Sequence, residues 1–189
     1  MPARTPRPGP AAPTGVTPFA VAAALHTVTL VGLFVWSLAR MHRLPERLPI
    51  HFLSDGTPNG WATTSWLTAL AMPLTALGLF VLIALGGYGM MRSARRRPRY
   101  LNLPRKAEFL ALPPERQEPV WRQLEALGAW LSLPPQGLLC WAQATIYKAA
   151  IDGGPGYAVP ALWMFLVVEG ALLAILGALS VRAYRRALA

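Results

Sequence analysis

The sequence predicts an all-α integral membrane protein with four transmembrane helices, a short ordered extracytoplasmic loop and an amphipathic cytoplasmic segment. Three observations support this class. Four long stretches carry almost no charge, only 14% of the residues are charged while 54% are apolar, and the basic residues cluster on one side of these stretches. About 20 helical residues, each rising about 1.5 Å, cross a hydrocarbon core about 30 Å thick. None of the stretches alternates as a barrel strand would, and they lie at about 15–39, 61–91, 126–147 and 153–181.

The composition argues against several functional classes. The net charge of +10 would suit a nucleic-acid-binding protein. However, the basic residues flank apolar stretches and do not line one polar face. We therefore expect no nucleic-acid partner. The single cysteine, Cys140, allows no intrachain disulfide and no zinc site of the clustered-cysteine type. The sequence has no phosphate loop and no hydrolase motif, so we expect no catalytic residue and no cofactor. An outer metal site made of His42, His51 and Asp55 is an alternative, but we expect no metal and a hydrogen bond from His51 within its own loop.

The first 17 residues form a proline-rich segment that we expect to be disordered, because its composition cannot build a core. A secretory signal peptide is the rival interpretation of the chain start. The first apolar stretch is too long for a signal peptide, and the sequence at 37–40 is a poor cleavage site. We therefore predict an uncleaved first helix over 18–40, opened by Pro18, whose missing N–H is tolerated in a first turn. Residues 18–189 then form one membrane domain.

The basic residues orient the predicted helices. With four spans and both termini in the cytoplasm, 14 of the 18 basic residues lie inside. The positive-inside rule favours this arrangement, so we predict a multi-pass protein of the cytoplasmic (inner) membrane. The largest basic group should bind anionic lipid headgroups, with docking of an acidic protein as the alternative; it consists of Arg92, Arg95, Arg96, Arg97 and Arg99.

The second helix is predicted over 66–91, where Pro73 should kink it or mark its true first turn. The cytoplasmic segment follows over 92–125, and its prolines block a long helix in its first half. Residues 106–112 have the pattern of a short amphipathic turn. A further helix should begin near Glu115, because apolar residues recur at helical spacing after it.

The third transmembrane helix is predicted over 126–151. The preceding amphipathic helix either lies on the membrane surface or continues straight into it. Consecutive prolines at 134–135 should break or kink the helix, because each proline removes a hydrogen bond one turn back. The sequence DGGPG at 152–156 is a cluster of turn-forming residues. The fourth helix is predicted over 161–182.

The outer loop, 44–65, is the most distinctive part of the chain. Its residues 44–61 have the sequence LPERLPIHFLSDGTPNGW. The prolines push the residues before them toward extended conformations, and the DG and PNG sequences supply the chemistry of tight turns. We predict an extended piece followed by two turns that cover the outer ends of the helices.

This loop resembles a bacterial family of integral membrane proteins that carry a domain of unknown function, in which a loop of the form LP…IPxHF…GxPxGW follows the first transmembrane helix. The domain is also found in SdpI-type immunity proteins, which protect producing cells against a membrane-active killing peptide. A second similar segment lies at 102–116, so the resemblance covers most of the chain after Val16. It implies a non-enzymatic membrane protein that senses a membrane-active peptide, or protects against it, through the outer loop. The residues expected to contact the peptide or a membrane-protein partner are His51, Phe52, Asp55, Gly56, Pro58, Gly60 and Trp61.

Three polar residues within the predicted spans are candidates for a functional role, namely His26, Gln143 and Glu169. A carboxylate at this depth is costly unless it is paired, protonated or hydrated. One interpretation is an interhelical hydrogen-bonded cluster that holds the bundle together. The other is a proton-linked site, which would make the chain a small transporter or an accessory membrane subunit that uses Glu169 and His26. The sequence leaves the oligomeric state open.

Overall fold

The computed structural model describes residues 16–157 and 159–189, so nearly all of the N-terminal segment predicted to be disordered lies outside the described residues. The described chain is mostly helical. Its elements are α1 (Pro18–Arg40), a 3₁₀ turn (Met41–Arg43), β1 (Arg47–Phe52), β2 (Pro58–Thr63), α2 (Trp66–Ala69), α3 (Ala71–Leu79), a π-helical segment (Phe80–Leu85), α4 (Gly86–Arg96), a second 3₁₀ turn (Pro98–Tyr100), α5 (Lys106–Ala111), α6 (Pro114–Asp152) and α7 (Val159–Leu188).

Within the described residues, three helical stretches are long and apolar enough to cross a membrane. They are Pro18–Arg43, Ala71–Arg96 and Leu166–Leu188, with mean hydropathies of 1.9 to 2.0. At most 22% of the residues in their apolar windows are buried inside the protein. Their apolar side chains therefore face outward, which is the pattern of helices surrounded by lipid.

The predicted third span is part of a much longer helix. α6 runs for 39 residues from Pro114 to Asp152, so the predicted amphipathic helix near Glu115 continues straight into it. The predicted break at 134–135 is absent. α6 packs against α1, α3, α4, α7 and the π-helical segment, and this packing around it maintains the helix where the prolines remove hydrogen bonds. Unlike the other three, α6 carries many of its polar side chains in the protein interior.

The predicted second helix is divided near its start. Ser65 caps α2: its Oγ accepts the Thr68 N–H at 3.1 Å, and the Thr68 hydroxyl accepts the Ser65 N–H at 2.8 Å. Helical geometry is interrupted at Leu70, and Pro73 is buried in the first turn of α3. Pro73 thus marks the first turn of the long helical stretch, which was one of its two predicted roles. The stretch continues to Arg96, beyond the predicted end at 91.

α6 approaches the π-helical segment very closely. A Cβ atom on Gly128 would lie 2.6 Å from the carbonyl oxygen of Ile83 and 3.6 Å from the Cα of Gly87. Only glycine permits such contact between two helix backbones. This contact fixes the position of α6 against the second apolar stretch.

The segment predicted as the outer loop contains a two-stranded antiparallel β-hairpin, so the class is not purely helical. Arg47 pairs with Thr63, and Phe52 pairs with Pro58. Residues 58–60, which were predicted to form the second turn, begin β2 instead, because a proline is tolerated as the first residue of a strand. The register shifts beside Ile50, which is exposed.

The segment between α4 and α6 forms its own small core at the end of the bundle opposite the hairpin. Phe109 of α5 is fully buried. Its ring lies 5.6 Å from that of Trp121 on α6 and 5.5 Å from that of Tyr184 on α7. These aromatic contacts attach the predicted amphipathic turn to both long helices.

Candidate functional site

The hairpin is fastened at its turn to the connection between α6 and α7. The carbonyl oxygen of Gly56 accepts the N–H of Gly156 at 2.8 Å. Gly56 has a positive φ of 84°, and a Cβ atom on Gly156 would lie 2.4 Å from Cγ2 of Thr145 and 3.2 Å from the ring of Phe52. Gly56 is therefore favoured by its positive φ, and Gly156 by the side chains that lie close to its Cα. The contact holds the hairpin over the end of α6.

Polar residues of the hairpin maintain its own shape. Asp55 Oδ1 accepts the N–H of Thr57 at 2.9 Å, and this bond lowers the pKa of Asp55 below its ordinary value. His51 Nδ1 is paired with the side chain of Asn59, which confirms the prediction of a hydrogen bond within the loop. A Cβ atom on Gly60 would lie 2.8 Å from the His51 Cβ, so β2 needs a glycine opposite His51.

The hairpin end presents apolar side chains outward. Ile50, Leu53 and Trp61 are 56%, 48% and 45% exposed, and Trp66 at the start of α2 is 67% exposed. Among the residues predicted to contact a peptide, Trp61 belongs to this outward set. Phe52 and Gly56, in contrast, face the α6–α7 connection and anchor the hairpin. The sequence reasoning missed Ile50 and Leu53, because the bulge that exposes Ile50 has no clear sequence signal.

His26 lies in a buried group of polar side chains between α1 and α6. Its Nε2 is 2.8 Å from the carbonyl oxygen of Ala129 and 3.0 Å from Oγ of Ser132, and its Nδ1 is paired with Oε1 of Gln136. The Gln136 Nε2 donates to the His26 carbonyl oxygen at 3.2 Å, which fixes the direction of the amide. The ring also lies 4.9 Å from that of Phe80. The imidazole is fully buried.

Hydrogen-bond acceptors lie beside both ring nitrogens of His26. The carbonyl of Ala129 and the amide oxygen of Gln136 can only accept hydrogen bonds. The ring is therefore held between two acceptors, one beside each of its nitrogens. Ser132 is a third neighbour, and its hydroxyl donates to the Ala129 carbonyl at 3.1 Å. Sequence reasoning singled out His26 and missed Ser132 and Gln136.

Gln143 belongs to a separate group nearer the hairpin. Pro73 has no N–H, so it cannot donate to the carbonyl oxygen of Ala69 four residues earlier. Gln143 Nε2 donates to that oxygen at 2.9 Å, and the Tyr147 hydroxyl donates to it at 3.2 Å. Two buried side chains of α6 thus satisfy the carbonyl that the proline leaves without its helical partner.

Glu169 is half-buried on α7. Its Oε1 is buried and has no hydrogen-bond partner within the described part of the chain. The hydrogen bonds of His26 and Gln143 go to other residues. The three predicted intramembrane residues therefore occupy three different environments.

The basic tract at the opposite end is partly used within the protein. Arg95 forms an ion pair with Glu118 and lies 3.6 Å from Glu125. Arg122 Nε donates to Glu118 at 3.0 Å. Burial raises the pKa of Glu118, but the hydrogen bonds from Arg122 and Arg95 outweigh burial and hold this pKa below its ordinary value. Arg92 donates to the hydroxyl of Tyr88 at 2.7 Å.

The remaining arginines predicted to bind lipid headgroups, Arg96, Arg97 and Arg99, are exposed on the surface.

Residues 28–77 match a domain of unknown function (DUF1648). The matched segment runs from α1 through the hairpin into α3, so it contains every residue predicted to contact a peptide but not His26, Gln143 or Glu169. No match was found among curated proteins or among solved structures. The predicted resemblance to a domain of unknown function is confirmed over these residues, and the SdpI-type assignment stays a prediction.

Proposed function

We propose that this chain is a non-enzymatic protein of the cytoplasmic membrane that spans it four times and binds a membrane-active peptide through the hairpin. α6 is the fourth span in this proposal. Its low apolarity fits that position because Ser132, Gln136 and Gln143 are buried against neighbouring helices and not against lipid. With four spans, both termini lie on the same side of the membrane as the basic tract. The positive-inside rule puts that side in the cytoplasm and the hairpin outside.

The exposed apolar side chains of the hairpin are the observation that supports this function. Ile50, Leu53 and Trp61 project from a short sheet that is fastened to the bundle through Gly56 and Gly156. Exposed apolar patches on a fixed scaffold are typical of binding surfaces, and tryptophan is enriched among the residues that dominate binding energy. A membrane-active peptide has an apolar face that this surface would cover.

The proposal is tested by challenging cells that express the chain with membrane-active peptides. We expect the wild-type chain to raise the inhibitory concentration of the peptide it binds, and the double variant Ile50→Ser/Trp61→Ser to lose this effect. Thr63→Ala is the matched control, because Thr63 is exposed on the same hairpin. Protein amounts in the membrane are compared by immunoblot. Equal protection by the double variant and the control would refute binding through the hairpin.

A second candidate is a proton-linked membrane subunit centred on His26. It is favoured by the full burial of His26 and by the acceptors that lie beside both of its ring nitrogens. The residues that contact the ring, from α6 and the π-helical segment, carry no titratable side chain; they are Phe80, Ala129, Ser132 and Gln136. Proton uptake into proteoliposomes after an acid pulse tests this candidate with His26→Gln and Glu169→Gln. Uptake by both variants at the wild-type rate would exclude it.

A further inference from the structure

A cavity of about 210 Å³ lies at the hairpin end of the bundle, between the ends of α1 and α6. The charged side chains around it are unbalanced. Arg40, Arg43 and Lys148 line it together with a single carboxylate among the described residues, that of Asp152. The cavity therefore carries a net positive charge, which attracts an anionic ligand.

A stack of three side chains fixes the position of one cation. The guanidinium carbon of Arg40 lies 4.3 Å from the centre of the Trp36 ring. The Trp36 ring lies 5.4 Å from that of Tyr147, which is fully buried, with an interplanar angle of 29°. The guanidinium lies over the Trp36 ring, and this contact does not use up its N–H donors. Among the described residues its N–H groups make one long contact, 3.5 Å from Nη1 to the Trp36 carbonyl, so most of these donors are available for an anion.

Lys148 is held on the other side of the cavity. Its Nζ donates to the carbonyl oxygen of Pro155 at 3.1 Å and lies 3.7 Å from Asp152. It also lies 5.9 Å from the centre of the Tyr157 ring. These contacts orient the ammonium group without neutralising the site, because Asp152 offsets only one of the three cations.

We infer that this cavity binds the phosphate group of an anionic ligand. A guanidinium that keeps most of its N–H donors and a nearby ammonium are the donors that phosphate oxygens prefer. Ala144 and Ile151 supply apolar wall beside the charges. With the bundle in the proposed membrane orientation, the cavity lies at the level of lipid headgroups, so the phosphate is supplied by a phospholipid or by a soluble phosphate ester. The inference uses the membrane position of the proposal but does not require the hairpin to bind a peptide.

The test measures lipid binding to the purified full-length chain in detergent by native mass spectrometry. The probes are phosphatidylglycerol, phosphatidylcholine and glycerol 3-phosphate. The variant Arg40→Gln/Lys148→Gln removes two cavity cations. The matched control, Arg116→Gln/Arg186→Gln, removes two exposed cations at the opposite end of the bundle that are outside the predicted lipid-binding tract. Melting of each variant without lipid reports folding, and Arg40→Lys retains the charge if Arg40→Gln proves unstable.

We expect the tightest phosphatidylglycerol to bind about fivefold more weakly for each cavity cation removed, hence about 25-fold for the double variant. The control at the opposite end should leave this tightest binding unchanged. Competition by glycerol 3-phosphate would assign the site to a soluble phosphate ester, and its failure to compete would assign the site to lipid. Equal weakening in both double variants, or phosphatidylcholine binding as tight as phosphatidylglycerol, would overturn the inference.

Discussion

The carbonyl oxygen of Ala69 provides the sharpest test of how this bundle is held together. Pro73 leaves that oxygen without its helical donor, and Gln143 and Tyr147 donate to it from α6. The double variant Gln143→Leu/Tyr147→Phe removes both donors and leaves a buried acceptor with neither of them. An unsatisfied buried acceptor costs about 1–3 kcal/mol, while single interhelical hydrogen bonds in membranes average about 0.6 kcal/mol. We therefore expect a loss of about 1–2 kcal/mol in the free energy of unfolding.

Restoring a backbone donor should remove most of that loss. In the Pro73→Ala variant, residue 73 gains an N–H that can donate to the Ala69 carbonyl across the interruption at Leu70. The same double substitution in this background should then cost less than about 0.5 kcal/mol. The difference between the two backgrounds is a coupling energy of about 1 kcal/mol, obtained from a double-mutant cycle.

The assay is reversible unfolding in mixed micelles, followed by the loss of helical circular dichroism. Pro134→Ala is the matched control, because the proline at this position withholds an N–H from Trp130 and not from Ala69. The double substitution should cost the same with and without that control change. If its cost is equal in the wild-type and Pro73→Ala backgrounds, the hydrogen bonds to the proline-freed carbonyl do not stabilise the bundle.

Three other predictions concern packing and ionisation. Gly128→Ala places a methyl group 2.6 Å from a carbonyl oxygen of the π-helical segment and should destabilise the bundle by about 1–3 kcal/mol. Its control is Gly89→Ala, which has open space around it and should have a small effect in the same unfolding assay. Gly156→Ala forces its methyl group to within 2.4 Å of a threonine side chain, so the hairpin should detach and be cleaved in limited proteolysis. Its control is Gly154→Ala, whose methyl group meets nothing within 4 Å and should leave the hairpin protected from cleavage. The pKa of Glu118 is lowered in the folded protein, so its stabilising effect is present above its ordinary pKa and is lost as the pH falls through the lower folded value. The wild-type protein should therefore lose unfolding free energy as the pH falls below about 4.5, and Glu118→Gln should lose less. The difference should be no more than about 1 kcal/mol, because the ion pair is partly exposed. An acid dependence that is the same in both proteins would contradict this assignment.

The parts of the fold that depend on local signals were predictable from the sequence. α1 begins at Pro18 and ends at Arg40, the predicted bounds, because a capping threonine, an N-terminal proline and a charged residue mark its ends. α6 was not predictable in the same way. Its prolines are strong local signals for a break, and the helices that surround and support α6 are distant in sequence.

The candidate sites show the same division. The free-energy cost of a polar side chain in lipid identified His26 and Gln143 as unusual residues in apolar stretches. Their partners are backbone carbonyls of Ala129 and Ala69 on other helices, which no residue type reveals. One signal was available: Ala69 lies four residues before Pro73, and a carbonyl in that position needs a donor from elsewhere. The cationic cavity was also missed, since it joins Arg40 to Lys148 across more than 100 residues of chain.

The inward polar face of α6 has a consequence for how the protein is made. A segment gains free energy on leaving the translocation channel for lipid in proportion to its apolar residues. In the proposed topology α6 gains the least of the four spans, because it is the least apolar of them. Among the described residues, Gln136 and Gln143 donate to carbonyls on α1 and at the start of the second apolar stretch. Stable integration of α6 therefore requires the preceding helices to be in the bilayer already, so a nascent chain that lacks them should release this segment to the aqueous side.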